Sequence, residues 1–188
     1  KYAGSSSCMA DIGVHGFNLI EYTTGLKIKS ILSDLNSLKA DIPLDLDGTV
    51  LLRFDGNFKG VIRASQIATG EENNVKIAVY GSKAALKWEQ EDPNYLYLIS
   101  DNEPMRTYKP AHVYNSEFAE ASHVMPCGHP EGIYEAFGNL YKGAAKAIHG
   151  QKLFDHEFPD VTDGVRGMKF IESVVKSNKD GNVWVDID

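Results

Sequence analysis

The sequence predicts an α+β fold in which helices pack on one face of an open, mainly antiparallel β-sheet. One apolar helix pattern lies near the start of the chain, about six strand-like stretches follow it, and two helix patterns lie near the end. Strands that follow one another without intervening helices pair antiparallel, because a parallel pair needs a long crossover connection. Helices that are separated from the strands along the chain then cover one face of the sheet.

The first predicted elements are a helix and a series of strands. The helix covers residues 11–25, DIGVHGFNLIEYTTG, and ends with Gly25 as its C-cap. Alternating apolar residues predict a strand in LKIKSILSDL. The stretches TVLLRF and FKGVIRASQIATG flank the turn DGN, and Asp-Gly between two β-rich stretches indicates a hairpin. Three more strands are predicted in VKIAVYG, AALKWEQ and NYLYLIS.

Two helices are predicted in the last third of the chain. The stretch HPEGIYEAFGNLYKGAAKAIHG has Pro130 near its start and Gly150 at its end, as helix termini often do. The stretch VTDGVRGMKFIESVVKS begins with a Thr/Asp cap. Its period predicts a buried face that consists of Val165, Met168, Ile171 and Val175. The final NVWVDID is predicted as a short strand or a docked tail.

The composition fits one globular domain and argues against several classes of protein. The 188 residues are 43% hydrophobic and 24% charged, enough for a sizeable core. The net charge is −7 and the basic residues are scattered, so we expect no nucleic-acid partner. No apolar run approaches the roughly 18 residues of a membrane span. Cys8 and Cys127 do not make a disulfide framework, which favours reduced thiols in a cytoplasmic protein.

A stripe of polar residues lies along one face of the first predicted helix. At 3.6 residues per turn, this face carries Asp11, His15, Asn18 and Tyr22. Apolar residues flank these short or planar side chains, whereas a solvated helix face usually carries Lys and Glu. The stripe therefore indicates a surface that faces a cavity. Two simpler interpretations remain: Asp11 satisfies free N–H groups at the helix start, or His15 is a hydrogen-bonded core histidine.

Several ordered stretches resemble one family. GSSSCMADIGVHGFNLIEYTTGL resembles the segment that follows the dinucleotide-binding domain in Gfo/Idh/MocA oxidoreductases, where a Gly/Ser loop precedes Asp-Ile-Gly-x-His. SQIATGEENNVKIAVYGSKAALKWEQEDPNYL, GHPEGIYEAFGNLY and FPDVTDGVRGMKFIESVV resemble later landmarks of the same domain. The resemblance covers nearly the whole chain. It implies the C-terminal domain of that family, with its dihydrodipicolinate-reductase-like open sheet.

The resemblance also implies a chemistry and a cofactor. Family members transfer a hydride between a sugar, polyol or related substrate and NAD or NADP. An alcohol that loses a hydride must also lose its hydroxyl proton, and an imidazole, with an unperturbed pKa of about 6.5, suits that exchange. His15 is then the acid/base, and Asp11 holds a substrate hydroxyl or orients His15. The catalytic lysine of the family lies in the nucleotide domain and has no counterpart here.

The cofactor half of such an enzyme is not recognisable in this sequence. There is no GxGxxG motif in a strand–loop–helix context. We therefore expect residues 1–188 to be a single C-terminal substrate-binding and oligomerisation domain. The N-terminal Rossmann domain, and any targeting segment, would lie outside this chain, and the fragment alone would be inactive. The resemblance and the apolar strands also predict a homo-oligomer that associates through the sheet face.

Further polar residues are candidates for substrate binding. Besides Asn18, the predicted set is Gln66, Glu71, Asn73 and His129. Each has a structural alternative. Gln66 could be a solvent-facing strand residue, Glu71 and Asn73 could be ordinary turn residues, and His129 could pack under the following helix. The alternative function is a non-catalytic oligomerisation or sugar-binding module.

A metal site is not predicted. The candidate cluster of His112, His123, Cys127 and His129 has no CxxC or HxxxH spacing.

Overall fold

The computed structural model describes residues 4–38, 41–154 and 157–187. Their backbone forms two compact units, which are described separately below. The first unit contains the residues up to Glu71 together with those from Asp160 onward. The second unit runs from Glu72 to Pro159.

The elements follow the predicted order, with two additions. A π-helical turn, Met9–Gly13, leads into the first helix. In chain order, the α-helices and strands after this turn are α1 (Val14–Thr24), β1 (Ile28–Asn36), β2 (Asp47–Phe54), β3 (Lys59–Ser65), β4 (Lys76–Tyr80), β5 (Ala85–Glu89), β6 (Leu96–Ser100), β7 (Glu103–Tyr108), α2 (Glu117–Ser122), α3 (Ile133–Ile148), α4 (Val161–Lys179) and β8 (Val185–Asp186). The strand β7 and the short helix α2 were not predicted.

The first unit is a four-stranded antiparallel sheet with helices on one face. Its strand order is β3-β2-β1-β8, and every neighbouring pair is antiparallel. Alternate side chains of the sheet, among them Ile31, Val50 and Ile62, are buried in one core with the helices. Phe17 of α1 stacks on Phe170 of α4, with ring centroids 4.5 Å apart. The predicted packing of helices on one sheet face is confirmed in this unit.

The buried face of α4 differs from the predicted one. Val165 and Met168 are 51% and 56% exposed, so their predicted burial is wrong. The buried face instead consists of Gly167, Phe170, Ile171, Val174, Val175 and Ser177. Gly167 explains the rotation, because a methyl group there would lie 3.2 Å from Val14 of α1. The two helices therefore approach closely at the glycine, and this approach turns Val165 and Met168 outward.

The second unit contains a separate antiparallel sheet. Its strand order is β4-β5-β6-β7. The α3 helix begins with a capping contact, in which the Gly132 N–H donates to Glu135 Oε2 at 2.8 Å. It ends near Gly150, which has a positive φ of 65°. The strand β7 was missed because its sequence, EPMRTY, shows no clean alternation and all but its last residue are exposed.

The predicted α+β class with antiparallel strands and helices is confirmed. The strands are divided between two four-stranded sheets. Within the described residues, no helix has both the length and the apolar character that a membrane crossing requires.

Candidate functional site

The helix that carries the predicted site begins with a π-helical turn rather than an α-helical one. The Val14 N–H donates to the carbonyl of Met9, five residues earlier. Asp11 lies in this π turn and His15 lies in the first turn of α1. The Met9 side chain fills the space beside the turn, since added methyl groups at Gly13 and Gly48 would lie 2.5 and 2.6 Å from its end. Single π turns within helices are frequent at functional sites.

The polar stripe is exposed along the helix. Asp11, His15, Asn18 and Tyr22 are all exposed, while Phe17 on the opposite side is buried. Among the described residues, no hydrogen-bond partner of His15 is found. The alternative interpretation of His15 as a hydrogen-bonded core histidine is therefore wrong. The stripe presents an imidazole, a carboxylate and an amide on one accessible surface.

Gln66 lies beside Asp11, 55 residues away in the sequence. Its Nε2 donates a hydrogen bond to Asp11 Oδ2 at 3.2 Å. Its Oε1 accepts a hydrogen bond from the Ser7 hydroxyl at 3.1 Å. Gln66 follows directly after β3, so the end of this strand brings it to the helix start. The structure thus brings together Gln66 and Asp11, two of the predicted site residues.

The free N–H groups at the helix start are satisfied by Asp45 and Ser6. Asp45 accepts the Ser7 N–H on Oδ1 at 2.8 Å and the Met9 N–H on Oδ2 at 2.8 Å. Its main-chain carbonyl accepts the N–H of Cys8 at 3.0 Å. Ser6 Oγ accepts the next N–H, at 3.2 Å. The alternative of Asp11 as the helix-capping carboxylate is therefore wrong, and its side chain faces Gln66 instead.

Sequence reasoning missed Asp45. It lies in the polar stretch between β1 and β2, and its partners are 36 and 38 residues away. Capping signals are read from residues next to a helix start, so a cap supplied by a distant loop leaves no local pattern. The only available signal was an acidic residue beside an apolar strand.

Cys8 lies in the same region and is fully buried. Burial raises the pKa of its thiol to about 11, and the nearby charges of Asp45 and Asp47 act in the same direction. The thiol therefore stays protonated near neutral pH. A protonated, buried thiol is a poor nucleophile, so Cys8 is part of the packing.

The remaining candidate residues lie apart from this cluster in the chain. Glu71 is exposed at the end of the first unit. Asn73 and His129 belong to the second unit and are also exposed. His129 Nδ1 lies 3.2 Å from the carbonyl of Pro126. Their predicted roles in substrate binding stay predictions.

The second unit contains a close Cys–His contact. Cys127 Sγ lies 3.3 Å from His112 Nε2, and the His112 ring stacks on Tyr114 with centroids 5.1 Å apart. In the described part of the chain, no group of three or more potential ligand side chains is arranged to hold a metal ion.

The chain is similar to known oxidoreductases. Residues 1–87 match the family model of the GFO/IDH/MocA C-terminal domain. The chain is 30% identical to the uncharacterized oxidoreductase YfiI of Bacillus subtilis (strain 168), over 98% of this chain and 49% of that protein. A crystal structure of an oxidoreductase from Sinorhizobium meliloti is 38% identical, with a TM-score of 0.89, over 95% of this chain and 52% of that chain.

A further solved relative has bound ligands. It is an inositol dehydrogenase homolog from Azotobacter vinelandii, crystallised with NADH and myo-inositol. It is 29% identical, with a TM-score of 0.86, over 98% of this chain and 51% of that chain. The chain thus spans about half the length of the relatives it matches. Residues 1–87 therefore match the C-terminal domain of the GFO/IDH/MocA family, and nearly the whole chain is similar to these oxidoreductases.

Proposed function

We propose that this chain is the substrate-binding part of an NAD(P)-dependent oxidoreductase that acts on a sugar, a polyol or a related hydroxyl or carbonyl compound. The observation that carries this proposal is the exposed helix face with Asp11 and His15 four residues apart, where Gln66 holds Asp11. The relatives support the reaction class, because they are oxidoreductases and one was solved with NADH and myo-inositol.

In the proposed mechanism His15 is the acid/base. An alcohol is oxidised when its carbon loses a hydride and its oxygen loses a proton. The exposed imidazole of His15 accepts that proton, and it returns the proton to the carbonyl oxygen in the reverse direction. Proton transfer by a positioned side chain typically contributes 10²–10⁴-fold to a rate.

Asp11 binds and orients in this mechanism. Its Oδ2 accepts the Gln66 amide, and among the described residues Oδ1 accepts no hydrogen bond. Oδ1 is therefore available to a substrate hydroxyl beside the imidazole. Asn18 extends the same face, and we retain it together with Gln66, Glu71, Asn73 and His129 as proposed substrate contacts.

The proposed place of the cofactor follows from the sheets of the described residues. A dinucleotide-binding site requires a parallel βαβ unit with a glycine-rich turn, and both sheets of the described chain are antiparallel throughout. We therefore propose that NAD or NADP is bound by a nucleotide-binding domain outside these residues. The part of the site in this chain then supplies the proton exchange and the substrate contacts.

The outer face of the first sheet is the proposed contact between two copies of the chain. Leu32, Leu51 and Val61 lie directly opposite one another across β1, β2 and β3. They point away from the core, and Leu51 and Val61 are 44% and 58% exposed. A second copy with the same row would bury this apolar surface against its own.

The second candidate function is a non-catalytic sugar-binding or assembly module. The exposed apolar row on the sheet supports the assembly part of this function, because such a row can be buried against another copy. Catalysis that depends on His15 distinguishes the enzyme from the module.

The test uses the full-length protein that contains this chain. NAD⁺- or NADP⁺-dependent oxidation of a panel of sugars and polyols is followed as NAD(P)H absorbance. We expect His15→Ala to lower kcat roughly 10²–10⁴-fold, because the proton acceptor is lost. Asp11→Asn is expected to lower kcat/KM as well.

The matched control is His149→Ala, which removes an exposed histidine from the second unit. It should leave kcat unchanged. If a folded His15→Ala protein retains wild-type kcat, the acid/base assignment is wrong. If the wild-type protein binds sugars of the panel but oxidises none of them, the sugar-binding module is the better description.

A further inference from the structure

A short segment of the β1–β2 loop connects the two sides of the proposed site. Asp45 accepts three successive main-chain N–H groups at the helix start. The next residue, Leu46, accepts the main-chain N–H of Gln66 at 2.8 Å. Leu46 in turn donates its own N–H to the carbonyl of Asn36 at the end of β1, also at 2.8 Å. Two adjacent residues thus fix both the turn that carries Asp11 and the backbone of Gln66.

This arrangement differs from an ordinary helix cap. An N-cap residue lies next to its helix in the sequence and moves with it. Asp45 lies 36 residues beyond Met9, in a loop that is anchored to the sheet. A cap from the sheet therefore sets where the helix begins relative to the strand end that carries Gln66.

The carboxylate of Asp45 is suited to this task. The residue is 7% exposed, and each of its oxygens accepts one N–H at 2.8 Å. Hydrogen bonds to an ionised acceptor are stronger than neutral ones, and negative charge is favourable at a helix start. An amide could not replace it, because its NH₂ group would face one of the two N–H donors.

We propose that Asp45 is a positioning residue for Asp11. It holds the π-helical turn against the end of β3, so that the Asp11 carboxylate stays within reach of the Gln66 amide. The effect on catalysis rests on the proposed function, whereas the effect on the turn does not. Among the described residues, Asp45 accepts hydrogen bonds from main-chain N–H groups at the helix start, and in this proposal it acts on substrate through Asp11.

The kinetic test is a double-mutant cycle in the full-length protein. We expect Asp45→Asn to lower kcat/KM at least about tenfold in the wild-type background. In the Asp11→Asn background the same substitution should change kcat/KM less than about twofold, because the group that it positions is already lost. Should Asp45→Asn not fold, Asp45→Glu keeps the charge but displaces it by one methylene, and it should show the same dependence on Asp11.

The matched control is Glu21→Gln at the other end of the same helix. Glu21 is also 7% exposed, and it also accepts a main-chain N–H, from Ile28 at 2.8 Å. We expect it to lower the melting temperature and to leave kcat/KM of the folded protein unchanged. This control separates the general effect of removing a buried carboxylate from the specific effect of no longer positioning Asp11.

A measurement without substrate tests the turn itself. Cys8 is fully buried in the turn region and its N–H bonds to Asp45, so its thiol reports whether the turn opens. In a Cys127→Ser background, the rate constant for the Cys8 thiolate with a disulfide reagent under native conditions, obtained from the pH dependence of the reaction so that the lost Asp45 charge is accounted for, should increase at least about tenfold in Asp45→Asn. In Glu21→Gln any increase should be no larger than its loss of global stability accounts for.

The outcomes separate the two proposals. If wild-type protein oxidises none of the substrates, the proposed function fails, and the Cys8 rate alone decides whether Asp45 holds the turn. An unchanged Cys8 rate in Asp45→Asn overturns the positioning role. The same is true if Asp45→Asn lowers kcat/KM equally with and without the Asp11 carboxylate, or if it does not lower kcat/KM in the wild-type background.

Discussion

Glu21 is a buried carboxylate near the end of α1, and its partners come from α4 and from the residues just after α1. Its oxygens bond Arg166, at 2.7 Å from Nη2, and Lys27, at 2.9 Å from Nζ. They also accept the N–H of Ile28. Burial acts to raise the pKa of Glu21, but the bonds to Arg166, Ile28 and Lys27 outweigh it and hold the pKa below its ordinary value of 4.5.

The lowered pKa makes the stability of the fold depend on pH. Between the lowered folded pKa and 4.5, the unfolded state binds more protons than the folded state. The stabilisation is therefore fully present above pH 4.5 and is lost as the pH falls through the folded pKa. We expect the free energy of unfolding, from urea titrations between pH 7 and pH 3, to fall in that window.

The Glu21→Gln variant should unfold more easily at pH 7, by roughly 3–5 kcal/mol, because Arg166 loses its buried partner. Its further loss of stability on acidification should be smaller than that of the wild type. Glu172→Gln, which neutralises an exposed carboxylate on α4, is the matched control and should follow the wild-type curve. If the free energy of unfolding falls with pH in parallel for Glu21→Gln and the wild type, Glu21 is not the source of the pH dependence.

The sequence could predict the polar side chains of the site better than the loop that holds them. Asp11 and His15 are four residues apart on one helix, so their spacing alone predicts that they share a face. Gln66 and Asp45 reach the helix from strand ends, and such contacts depend on the sheet register. That register is set by long-range pairing, which a single sequence does not display.

At the scale of elements, the crossing of α1 and α4 depends on one glycine. A methyl group at Gly167 would lie 3.2 Å from Val14 Cγ2. Val14 is β-branched and in a helix, so its side chain has little freedom to move away. We expect Gly167→Ala to destabilise the fold by about 1 kcal/mol or more, as overpacking does.

Gly164 in the same helix provides the control. Nothing lies within 4 Å of a methyl group placed there. Gly164→Ala should therefore stabilise the fold by about 0.5–1 kcal/mol, through helix propensity alone. Urea denaturation of both variants measures the difference between their free energies of unfolding. Equal stabilities would show that α1 shifts at the crossing and makes room for the added methyl group.

The same crossing explains which face of α4 was predicted wrongly. The helical period of VTDGVRGMKFIESVVKS allows more than one apolar face, and the larger side chains Val165 and Met168 favoured the wrong one. The buried face includes Gly167 because close approach of two helices requires a small residue. Hydrophobic periodicity alone does not score a glycine as a contact.

At the scale of the whole molecule, the outer face of the first sheet decides whether the chain pairs with itself. Leu51 and Val61 are neighbours across β2 and β3, and Arg53 of the same face lies over the Trp184 ring at 3.7 Å. Burial of apolar surface is favourable by about 25 cal/mol per Å². We expect sedimentation at micromolar concentration to give about twice the chain mass of 20.7 kDa.

Leu51→Glu should shift the protein to the monomer, because a charge would be buried at the centre of the contact. Leu38→Glu places the same charge at a leucine that is 65% exposed outside the strands, and it should leave the association unchanged. A wild-type chain that sediments near 20.7 kDa at these concentrations would contradict association through this face.

The α+β class could be predicted because strand and helix patterns are local, but the division into two sheets could not. Nothing in the apolar alternation of VIRASQI and VKIAVYG shows that one stretch pairs within the first unit and the other within the second. Strand partners follow from the three-dimensional path of the loops, which leaves no periodic trace in the sequence.

The pairing of β8 with β1 has a consequence for synthesis on the ribosome. Ser30 pairs with Asp186, and α4, which covers β1, is also made of late residues. The second unit is one continuous stretch, so all of its residues emerge before those of α4. The helix with Asp11 and His15, although synthesised first, therefore acquires its complete packing last. During that interval the apolar side of the helix, including Phe17, lacks its partner Phe170. Exposed apolar surface in an unfinished chain can make non-native contacts, so this side of the helix is open to them until α4 is made.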